Sequence, residues 1–303
     1  MKLNHVLESQ QFTVPILMEL FGRTELMKKV VARGGTRDYD HKIMANLFYK
    51  PSTRTRFSFE SAMHRLGGHV LSTEQAHEFS SEMDGGSLED TIKIMSNFCD
   101  LIVLRHPDAD GAKRAAKVSP VPIINAGDGA GGQHPTQALL DLYTIYNECK
   151  TLNGVSVAII GDLDNGRTAH SLAYLLSKFD RVKLYFIAPE NMQIKQDILE
   201  HLDEHRVWYK CASSIEEIID RVDVVYQTRI PKGKLDPSID LKAFNIDSDV
   251  LQKMKYNSII LHPLPRTVEI SHDVDQDPRA AYFRQVKNGL YVRMALLSMI
   301  FED

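Results

Sequence analysis

The sequence predicts an α/β protein with two doubly wound parallel-sheet domains. Short runs of apolar and β-branched residues recur along the 303 residues and alternate with segments of helical periodicity. Continuous apolar strands separated by helices are typical of parallel sheets that are covered on both faces. A chain of this length is also large enough for two domains, each with its own core.

The first half of the chain contains three predicted strands. The first is the apolar segment Ile43–Tyr49, and a helix is expected after it because Phe59, Met63 and Leu66 are spaced four and three residues apart. Two further strands and a closing helix complete this half: Leu101–Leu104, Val121–Ile124 and Pro135–Cys149. The turn residues Asn153 and Gly154 then precede a new set of strands, which places a domain boundary near residue 150.

The second half repeats the alternation of strands and helices. Its predicted strands are Val155–Ile160, Val182–Ile187, Val222–Tyr226 and Ser258–Leu261. The last helix starts at about Ala280 or Asn288, ends near Phe301 and carries an apolar stripe, which consists of Leu290, Met294, Leu297 and Ile300. We therefore expect a first domain over 1–150, joined by the C-terminal helix at about 286–303, and a second domain over 151–285.

The composition is that of a globular protein and narrows the classes of partner. Hydrophobic residues make up 43% and charged residues 25%, and the formal net charge is −4, so a nucleic-acid partner is not expected. Three cysteines are too few and too scattered for a disulfide framework or a zinc ribbon. We find neither an apolar run of membrane length nor an N-terminal signal pattern, so no membrane association and a cytoplasmic location are expected.

The most informative segment is the turn that follows the first predicted strand. Pro51 and the residues Ser52, Thr53, Arg54, Thr55 and Arg56 combine three hydroxyls with two guanidinium groups. A strand that ends in such residues and opens a helix presents free backbone N–H groups and the positive end of the helix dipole, which favours a phosphate ligand. Serine and threonine at a helix start are also ordinary caps, so this segment alone leaves both interpretations open.

Polar residues follow the other predicted strands at equivalent positions. Ligands of open α/β sheets bind outside the carboxyl ends of the strands. The residues found there are Arg105 and His106, Asn125 and the loop to His134 and Gln137, Asp162 and Arg167, Thr228 and Arg229, and the run from His262 to Arg266. Arginine or histidine thus follows six strands, although each taken alone could be a surface arginine or a structural histidine.

The chain lacks the motifs of several other enzyme classes. A nucleotide P-loop and a G-x-G-x-x-G loop are both missing, so ATP and NAD are not expected. We also find no Ser/His/Asp or Cys/His constellation and no cluster with metal-ligand spacing, so no cofactor and no metal are expected. The donors of the turn after the first strand instead suit a phosphorylated small molecule.

The motifs together resemble the aspartate carbamoyltransferase family. They are Pro-Ser-Thr-Arg-Thr-Arg-Phe-Ser-Phe-Glu, Arg-His-Pro, Asn-Ala-Gly-Asp-Gly, Gln-His-Pro-Thr-Gln-Ala-Leu-Leu-Asp, Gly-Asp-Leu with Gly-Arg-Thr, and His-Pro-Leu-Pro-Arg. Their order and spacing match from about residue 40 to 300. Ser-Thr-Arg-Thr-Arg alone is shared with ornithine carbamoyltransferase. The resemblance implies transfer of the carbamoyl group of carbamoyl phosphate to the amine of L-aspartate, in pyrimidine biosynthesis.

The resemblance also implies roles for individual residues. Ser52, Thr53, Arg54 and Thr55 would hold the phosphate, and Thr55, Arg105 and His134 would donate to the carbamoyl oxygen. Gln137 and the carbonyls of Pro263 and Leu264 would orient the carbamoyl NH₂. Arg167 and Arg229 would bind the carboxylates of the amino acid next to Leu264, since a guanidinium matches a planar carboxylate. The implied assembly is a homotrimer whose active sites, in the cleft between the domains, are shared across subunit borders, with regulatory chains as possible partners.

Four positions depart from the pattern of the family. In the loop that the family donates to a neighbouring subunit, Ser80 is kept but Asp84 replaces a lysine. Lys50 replaces a glutamate, Pro231 a glutamine and Asp164 a lysine. Three interpretations follow: an aspartate carbamoyltransferase in which Lys50 supplies the missing cation, a carbamoyltransferase for another carboxylated amine, or a catalytically impaired protein that binds carbamoyl phosphate or serves in assembly. The first is favoured, and residues 230–245 are expected to close over the substrates.

Overall fold

The computed structural model describes residues 3–74, 86–231 and 241–302. The Cα positions divide the chain into two compact units. Unit 1 comprises Met1–Leu139 and Asn288–Asp303, and unit 2 comprises Leu140–Lys287. Each unit contains a parallel sheet accompanied by helices, which confirms the predicted fold class.

The sheet of unit 1 has four parallel strands in the order β2-β1-β3-β4. The strands are β1 (Ile43–Phe48), β2 (His69–Glu74), β3 (Leu101–Arg105) and β4 (Ile123–Asn125). The register pairs Phe48 with Arg105 and Leu104 with Asn125. The carboxyl ends of β1, β3 and β4 therefore lie along one edge of the sheet.

Helices follow the strands of unit 1, as a parallel sheet requires, and one further helix precedes β1. They are α1 (Val14–Ala32), α2 (Thr53–Arg65), α3 (Leu88–Met95), α4 (Gly111–Val118) and α5 (Pro135–Cys149), of which α5 begins in unit 1 and continues into unit 2. The side chain of Ser87 caps α3 by accepting a hydrogen bond from the backbone of Asp90. The core includes the fully buried Phe59 and Met63, which confirms the predicted apolar stripe of the helix after β1.

The sheet of unit 2 has five parallel strands in the order β7-β6-β5-β8-β9. The strands are β5 (Ser156–Ile160), β6 (Lys183–Ile187), β7 (Trp208–Ala212), β8 (Val224–Gln227) and β9 (Ile259–Leu261). The helices are α6 (Arg167–Leu176), α7 (Gln196–Glu204), α8 (Ser248–Lys253) and α9 (Tyr282–Phe301). From Asn288 onward α9 groups with unit 1, and its Met294 and Leu297 are fully buried.

Two strands were not predicted from the sequence. β2 and β7 each lie at the edge of a sheet, and most of their side chains are exposed or half-buried. Other boundaries differ by one or two residues, since β1 ends at Phe48 rather than Tyr49 and β4 begins at Ile123 rather than Val121. Among the helices in the described part of the chain, none is both long and apolar enough to cross a bilayer.

Candidate active site

The order of the strands reverses once in each sheet, and part of the predicted site follows the strands at these two points. In unit 1 the reversal lies between β1 and β3, which lead to Ser52 and to Arg105. In unit 2 it lies between β5 and β8, which lead to Arg167 and Arg229. Such reversal points are where open α/β sheets bind their ligands. The remaining predicted residues follow the last strand of each sheet, since His134 and Gln137 come after β4, and Pro263 and Leu264 come after β9.

The turn after β1 leads directly into the first turn of α2. Ser52 precedes the helix, and the backbone N–H of Arg56 donates to its carbonyl at 3.0 Å. The Ser52 hydroxyl makes no capping hydrogen bond to this helix in the described structure, so the serine does not act as an ordinary cap. The first N–H groups of a helix have no partner within it and can bind an anion. Thr53 and Arg54 are exposed there, and Thr55 is buried.

The guanidinium groups of this turn lie in different surroundings. Nearby protein atoms that displace water lower the pKa of Arg54 from its usual value, although its side chain still reaches solvent. Arg56 instead lies among carboxylates, with Glu60 at 3.6 Å and Glu74 at 3.4 Å. Glu74 also accepts a hydrogen bond of 3.1 Å from the backbone N–H of Ser52. Sequence analysis missed Glu74, because it stands at the end of an edge strand that lacks an apolar run.

Arg105 and His134 approach the same glycine. Gly127 has φ +115°, and a Cβ added to it would lie 2.7 Å from Nη1 of Arg105 and 3.0 Å from Cδ2 of His134. Arg105 Nη1 also donates a hydrogen bond to the carbonyl of Ala126 at 3.1 Å. A left-handed backbone without a side chain therefore allows a guanidinium and an imidazole to meet there. The sequence placed this glycine in a turn-rich loop but did not indicate this contact.

Buried hydrogen bonds fix the loop that carries Gly127. The side chain of Asn125 donates to Asp128 at 2.6 Å and to the carbonyl of Leu7 at 2.9 Å, and it accepts from the N–H of Gly127 at 2.8 Å. Asp128 also accepts from the backbone N–H of Ala112 at 3.2 Å. Because these groups are buried and paired, the loop has a defined shape.

The start of α5 supplies the remaining predicted residues of unit 1. His134 is buried, its carbonyl accepts from the N–H of Gln137 at 3.1 Å, and its Nδ1 lies 3.5 Å from the hydroxyl of Thr136. Gln137 is half-buried. His106, which also follows β3, packs edge-on against Tyr49 at 4.7 Å and accepts from the N–H of Asp108, so it supports the loop.

In unit 2 the loops after β5 and β8 are joined through their backbones. The N–H of Asp162 donates to the carbonyl of Arg229 at 3.1 Å. A Cβ added to Gly161 would lie 2.0 Å from the hydroxyl oxygen of Thr228, so the close approach of the two loops requires glycine there. Arg167 is half-buried at the start of α6 and Arg229 is exposed.

The run that follows β9 is held by a buried histidine. Nδ1 of His262 accepts from the N–H of Leu264 at 2.7 Å, so Nε2 carries the proton and donates to Glu269 at 3.0 Å. Burial lowers the pKa of His262, although the bond to Glu269 acts in the opposite direction. Burial alone would raise the pKa of Glu269, but hydrogen bonds from His262 and Thr267 lower it to about 2. Leu264 has φ +52°, and its strained backbone turns where the carbonyls of Pro263 and Leu264 are predicted to accept hydrogen bonds.

A second set of buried hydrogen bonds holds the start of the run from His262 to Arg266. The N–H of His262 donates to Gln285 at 2.9 Å, and Gln285 donates to Asp141 at 2.6 Å. The hydroxyl of Tyr226 donates to the other oxygen of Asp141 at 2.6 Å. Arg266 at the end of the run is paired with Asp275 and donates to the hydroxyl of Tyr282 at 2.9 Å, so it has a structural partner.

The positions that depart from the family pattern are only partly described. Ser80 and Asp84 lie outside the described residues, as does 232–240 of the segment that was expected to close over substrates. Lys50 is exposed and directly precedes the turn after β1, and Pro231 is half-buried. Asp164 accepts a hydrogen bond from the side chain of Asn165 at 3.0 Å.

A group of possible metal ligands lies on unit 2. His201, Glu204 and His205 offer ligand atoms within 4.8 Å of one another at the end of α7. None of these three belongs to the predicted site.

Comparisons with known proteins show which family the chain belongs to. The chain matches the sequence model of "Aspartate/ornithine carbamoyltransferase, carbamoyl-P binding domain" over residues 4–147 and that of the "Asp/Orn binding domain" over residues 153–300. It is 48% identical over 311 residues to the chloroplastic aspartate carbamoyltransferase of Oryza sativa subsp. japonica, covering 99% of this chain and 85% of that protein. It is 44% identical to the aspartate carbamoyltransferase catalytic subunit of Methanopyrus kandleri, covering 97% and 96%. The aspartate transcarbamoylase of Trypanosoma cruzi, solved with carbamoyl phosphate and aspartate, superposes with a TM-score of 0.92 at 36% identity, covering 99% and 96% of the two chains.

Proposed function

Because the chain belongs to the aspartate/ornithine carbamoyltransferase family, we propose that it transfers the carbamoyl group of carbamoyl phosphate to the amine of L-aspartate. The products are N-carbamoyl-L-aspartate and phosphate, a step of pyrimidine biosynthesis. The observation that carries the proposal is the approach of Arg105, at the end of β3, to Gly127 and His134, which follow the neighbouring strand β4. Identity to aspartate carbamoyltransferases over nearly the whole chain supports aspartate as the acceptor.

The phosphate of carbamoyl phosphate is bound at the start of α2. The backbone N–H groups of the first turn and the side chains of Ser52, Thr53 and Thr55 are its donors, and Arg54 supplies the positive charge. The helix dipole adds to this attraction. A cationic partner for the leaving phosphate lowers the cost of breaking its bond to carbon.

The carbonyl oxygen of the carbamoyl group is bound by Arg105, His134 and Thr55. As the amine attacks, this oxygen gains negative charge, and donors that are already in place stabilise it without reorganising. The hydrogen bonds around Asn125 and the contact of Gly127 with both side chains hold these donors. Gln137 and the carbonyls of Pro263 and Leu264 orient the NH₂ group.

Unit 2 binds the amino acid. Arg167 and Arg229 each offer a planar fork to one carboxylate, and they follow neighbouring strands whose loops are joined by the bond between Asp162 and Arg229. The left-handed backbone of Leu264, supported by His262, presents a carbonyl to the amine.

The reaction needs no nucleophile from the protein. The nitrogen of aspartate forms a bond to the carbonyl carbon, and the carbon–oxygen bond to phosphate then breaks. The departing phosphate accepts the proton of the amine. Carbamoyl phosphate is a mixed anhydride with a good leaving group, so orientation and charge stabilisation suffice.

A colorimetric assay of carbamoyl transfer tests the proposed acceptor. The purified protein is given carbamoyl phosphate with aspartate, ornithine or a diamino acid. We expect turnover with aspartate at ordinary enzyme rates and little with the others. Turnover that prefers ornithine or a diamino acid would redirect the proposal to another amine, and binding of carbamoyl phosphate without turnover would point to an impaired homologue.

The proposed assembly is a homotrimer with shared active sites. Large apolar side chains are exposed on unit 1, namely Phe57 (52%), Leu71 (43%), Ile94 (54%) and Phe98 (56%). A second copy of the chain is the partner that we propose for these side chains, because exposed apolar surface favours burial between proteins. Light scattering should give three times the 34.3 kDa of one chain.

A further inference from the structure

A basic cavity in unit 2 lies between the turns that follow α6 and α7. It has a volume of about 500 Å³, and the described residues of its wall include Lys178, Arg181, Lys183 and Arg206 with one carboxylate, that of Asp180. None of the described residues proposed for carbamoyl transfer lines this cavity. Four cations around one concave surface favour a ligand with several negative charges.

Both arginines of this wall, Arg181 and Arg206, occupy backbone conformations that favour glycine. Arg181 has φ +57° and Arg206 has φ +56°. Arg206 ends α7 in a Schellman motif, because its N–H donates to the carbonyl of Asp203 at 3.0 Å and that of Val207 to Leu202 at 2.9 Å. A left-handed conformation is costly for a residue with a Cβ.

The dipoles of α6 and α7 do not explain why arginine occupies these two left-handed positions. Cations near the end of a helix are stabilised by its dipole, but the gain for an exposed side chain is smaller than the cost of a left-handed backbone. A lysine or arginine within the last turn would make the same interaction without strain. Two strained arginines on the wall of one cavity therefore indicate a use for their guanidinium groups.

An aromatic side chain completes the wall. Trp208 is 49% exposed and packs edge-on against Tyr185 at 5.2 Å, which fixes its ring and leaves part of its surface to the solvent. A half-exposed indole suits stacking with a flat aromatic ligand. The volume of the cavity is within the range of sites for small molecules.

We propose that this cavity binds a nucleoside di- or triphosphate, with its phosphates on Arg181, Arg206 and Lys183 and its base on Trp208. The site is separate from the one assigned to carbamoyl transfer, and its existence does not depend on that assignment. Arginine binds phosphate through two parallel hydrogen bonds. Any nucleobase can stack on the ring of Trp208, because every nucleobase has a flat aromatic face.

The fluorescence of Trp208 reports binding, because it is the only tryptophan in the sequence. ATP is titrated into the full chain in the presence of EDTA, with the carbamoyl-transfer site filled by a bisubstrate phosphonate. We expect a saturable change that tripolyphosphate reverses by competition and adenosine does not. Equilibrium dialysis that detects no bound ATP would overturn the proposal.

Glycine variants separate binding from folding. Arg206→Gly and Arg181→Gly remove a guanidinium and relieve a left-handed backbone, so the variants should melt no lower than the parent. ATP should bind about tenfold more weakly to each, as expected for the loss of one charged hydrogen bond to phosphate. Lys150→Gly is the matched control, because Lys150 also has a positive φ of 65° beyond a helix end but does not line the cavity. Equal affinity of the two arginine variants and the parent for ATP would refute the site.

The contribution of Trp208 is tested by dialysis with Trp208→Ala. ATP should bind at least about fivefold more weakly to this variant, since the stacking of a base on an aromatic ring changes affinity by a factor of roughly 5 to 150. Tripolyphosphate should bind as it does to the parent. If both ligands bind the variant and the parent alike, the proposed position of the base is wrong.

Discussion

Glu74 accepts a hydrogen bond from the backbone N–H of Ser52 at 3.1 Å. The other carboxylate oxygen of Glu74 lies 3.4 Å from Arg56. A negative charge at the end of β2 thus contacts the turn proposed to bind phosphate. It fixes the turn by its hydrogen bond and opposes an anionic ligand by its charge.

We expect Glu74→Gln to bind carbamoyl phosphate more tightly. The amide oxygen can still accept from Ser52, while the negative charge is lost, so the KM for carbamoyl phosphate should fall about fivefold for a change of roughly 1 kcal/mol. Steady-state kinetics measure it. Glu60→Gln is the control, because Glu60 lies 3.6 Å from the same Arg56 but is not the acceptor for Ser52. A KM that rises in Glu74→Gln would contradict the charge argument.

Gly127→Ala should reduce kcat strongly and lower the free energy of unfolding only slightly. Its Cβ would displace Arg105 and His134, and the loss of oxyanion donors typically lowers kcat about 100-fold or more. The left-handed backbone adds a loss of about 1 kcal/mol in the free energy of unfolding. Gly131→Ala is the matched control, since Gly131 has φ +81° in the same loop and nothing lies within 4 Å of an added Cβ. Gly131→Ala should lose a similar free energy of unfolding and keep the kcat of the parent. Equal kcat values for Gly127→Ala and Gly131→Ala would argue against the proposed donors.

Lys50→Ala tests whether Lys50 replaces the lysine that is missing at position 84. Lys50 is exposed directly before the phosphate turn. If its charge stabilises the leaving phosphate, kcat should fall about tenfold or more, while the melting temperature stays the same. Lys93→Ala removes an exposed lysine of α3 and should leave both unchanged. An unaffected rate in Lys50→Ala would exclude this role.

Arg229→Gln should weaken the binding of aspartate selectively. The loss of a charged fork to a carboxylate should raise the KM for aspartate roughly 30-fold or more. The KM for carbamoyl phosphate should change little, because its proposed ligands are mainly in unit 1. Arg221→Gln, which alters an exposed arginine 3.5 Å from Asp220, serves as the control. Equal increases in both KM values would indicate a general loss of structure instead.

The His262–Glu269 pair predicts a loss of stability in acid. The pKa of Glu269 lies at about 2, below its ordinary value of 4.5, so its stabilisation is full above 4.5 and is lost as the pH falls toward 2. The lowered pKa of His262 acts in the same sense, because protonation below its ordinary value of 6.5 favours the unfolded chain.

Glu269→Gln should therefore lower the free energy of unfolding at neutral pH by roughly 2 to 3 kcal/mol. Urea unfolding at a series of pH values should show this difference from the parent shrinking below pH 4.5. Glu190→Gln, an exposed change in the same unit, should follow the parent throughout. A difference that does not depend on pH would show that the charge of Glu269 is not the source.

The sequence predicted both sheets except for one edge strand of each, β2 in unit 1 and β7 in unit 2. Central strands such as β5 are buried on both faces and therefore form unbroken apolar runs. The opposite edge strands β4 and β9 are buried as well and were predicted. β2 and β7 leave most of their side chains exposed or half-buried, so their sequences lack an apolar run.

The candidate site could also be predicted only in part from the sequence. The rule that ligands bind at strand ends selected Arg105, Arg167 and Arg229, because it depends on the position of a residue relative to its own strand. It could not find Glu74 or Glu269, whose importance comes from partners that folding brings to them. The space that Gly127 leaves for two side chains depends on its φ and on how the end of β3 meets the loop after β4, which no local pattern records.

The edge strand β7 also bears on how the protein behaves at high concentration. Its outer backbone groups could pair with a strand of another molecule, as the borders of open sheets do when proteins precipitate. Lys210 stands at the middle of this strand with its side chain exposed. Charged side chains on an edge strand disfavour such pairing, so we expect Lys210, 3.5 Å from Glu217, to oppose aggregation through this edge.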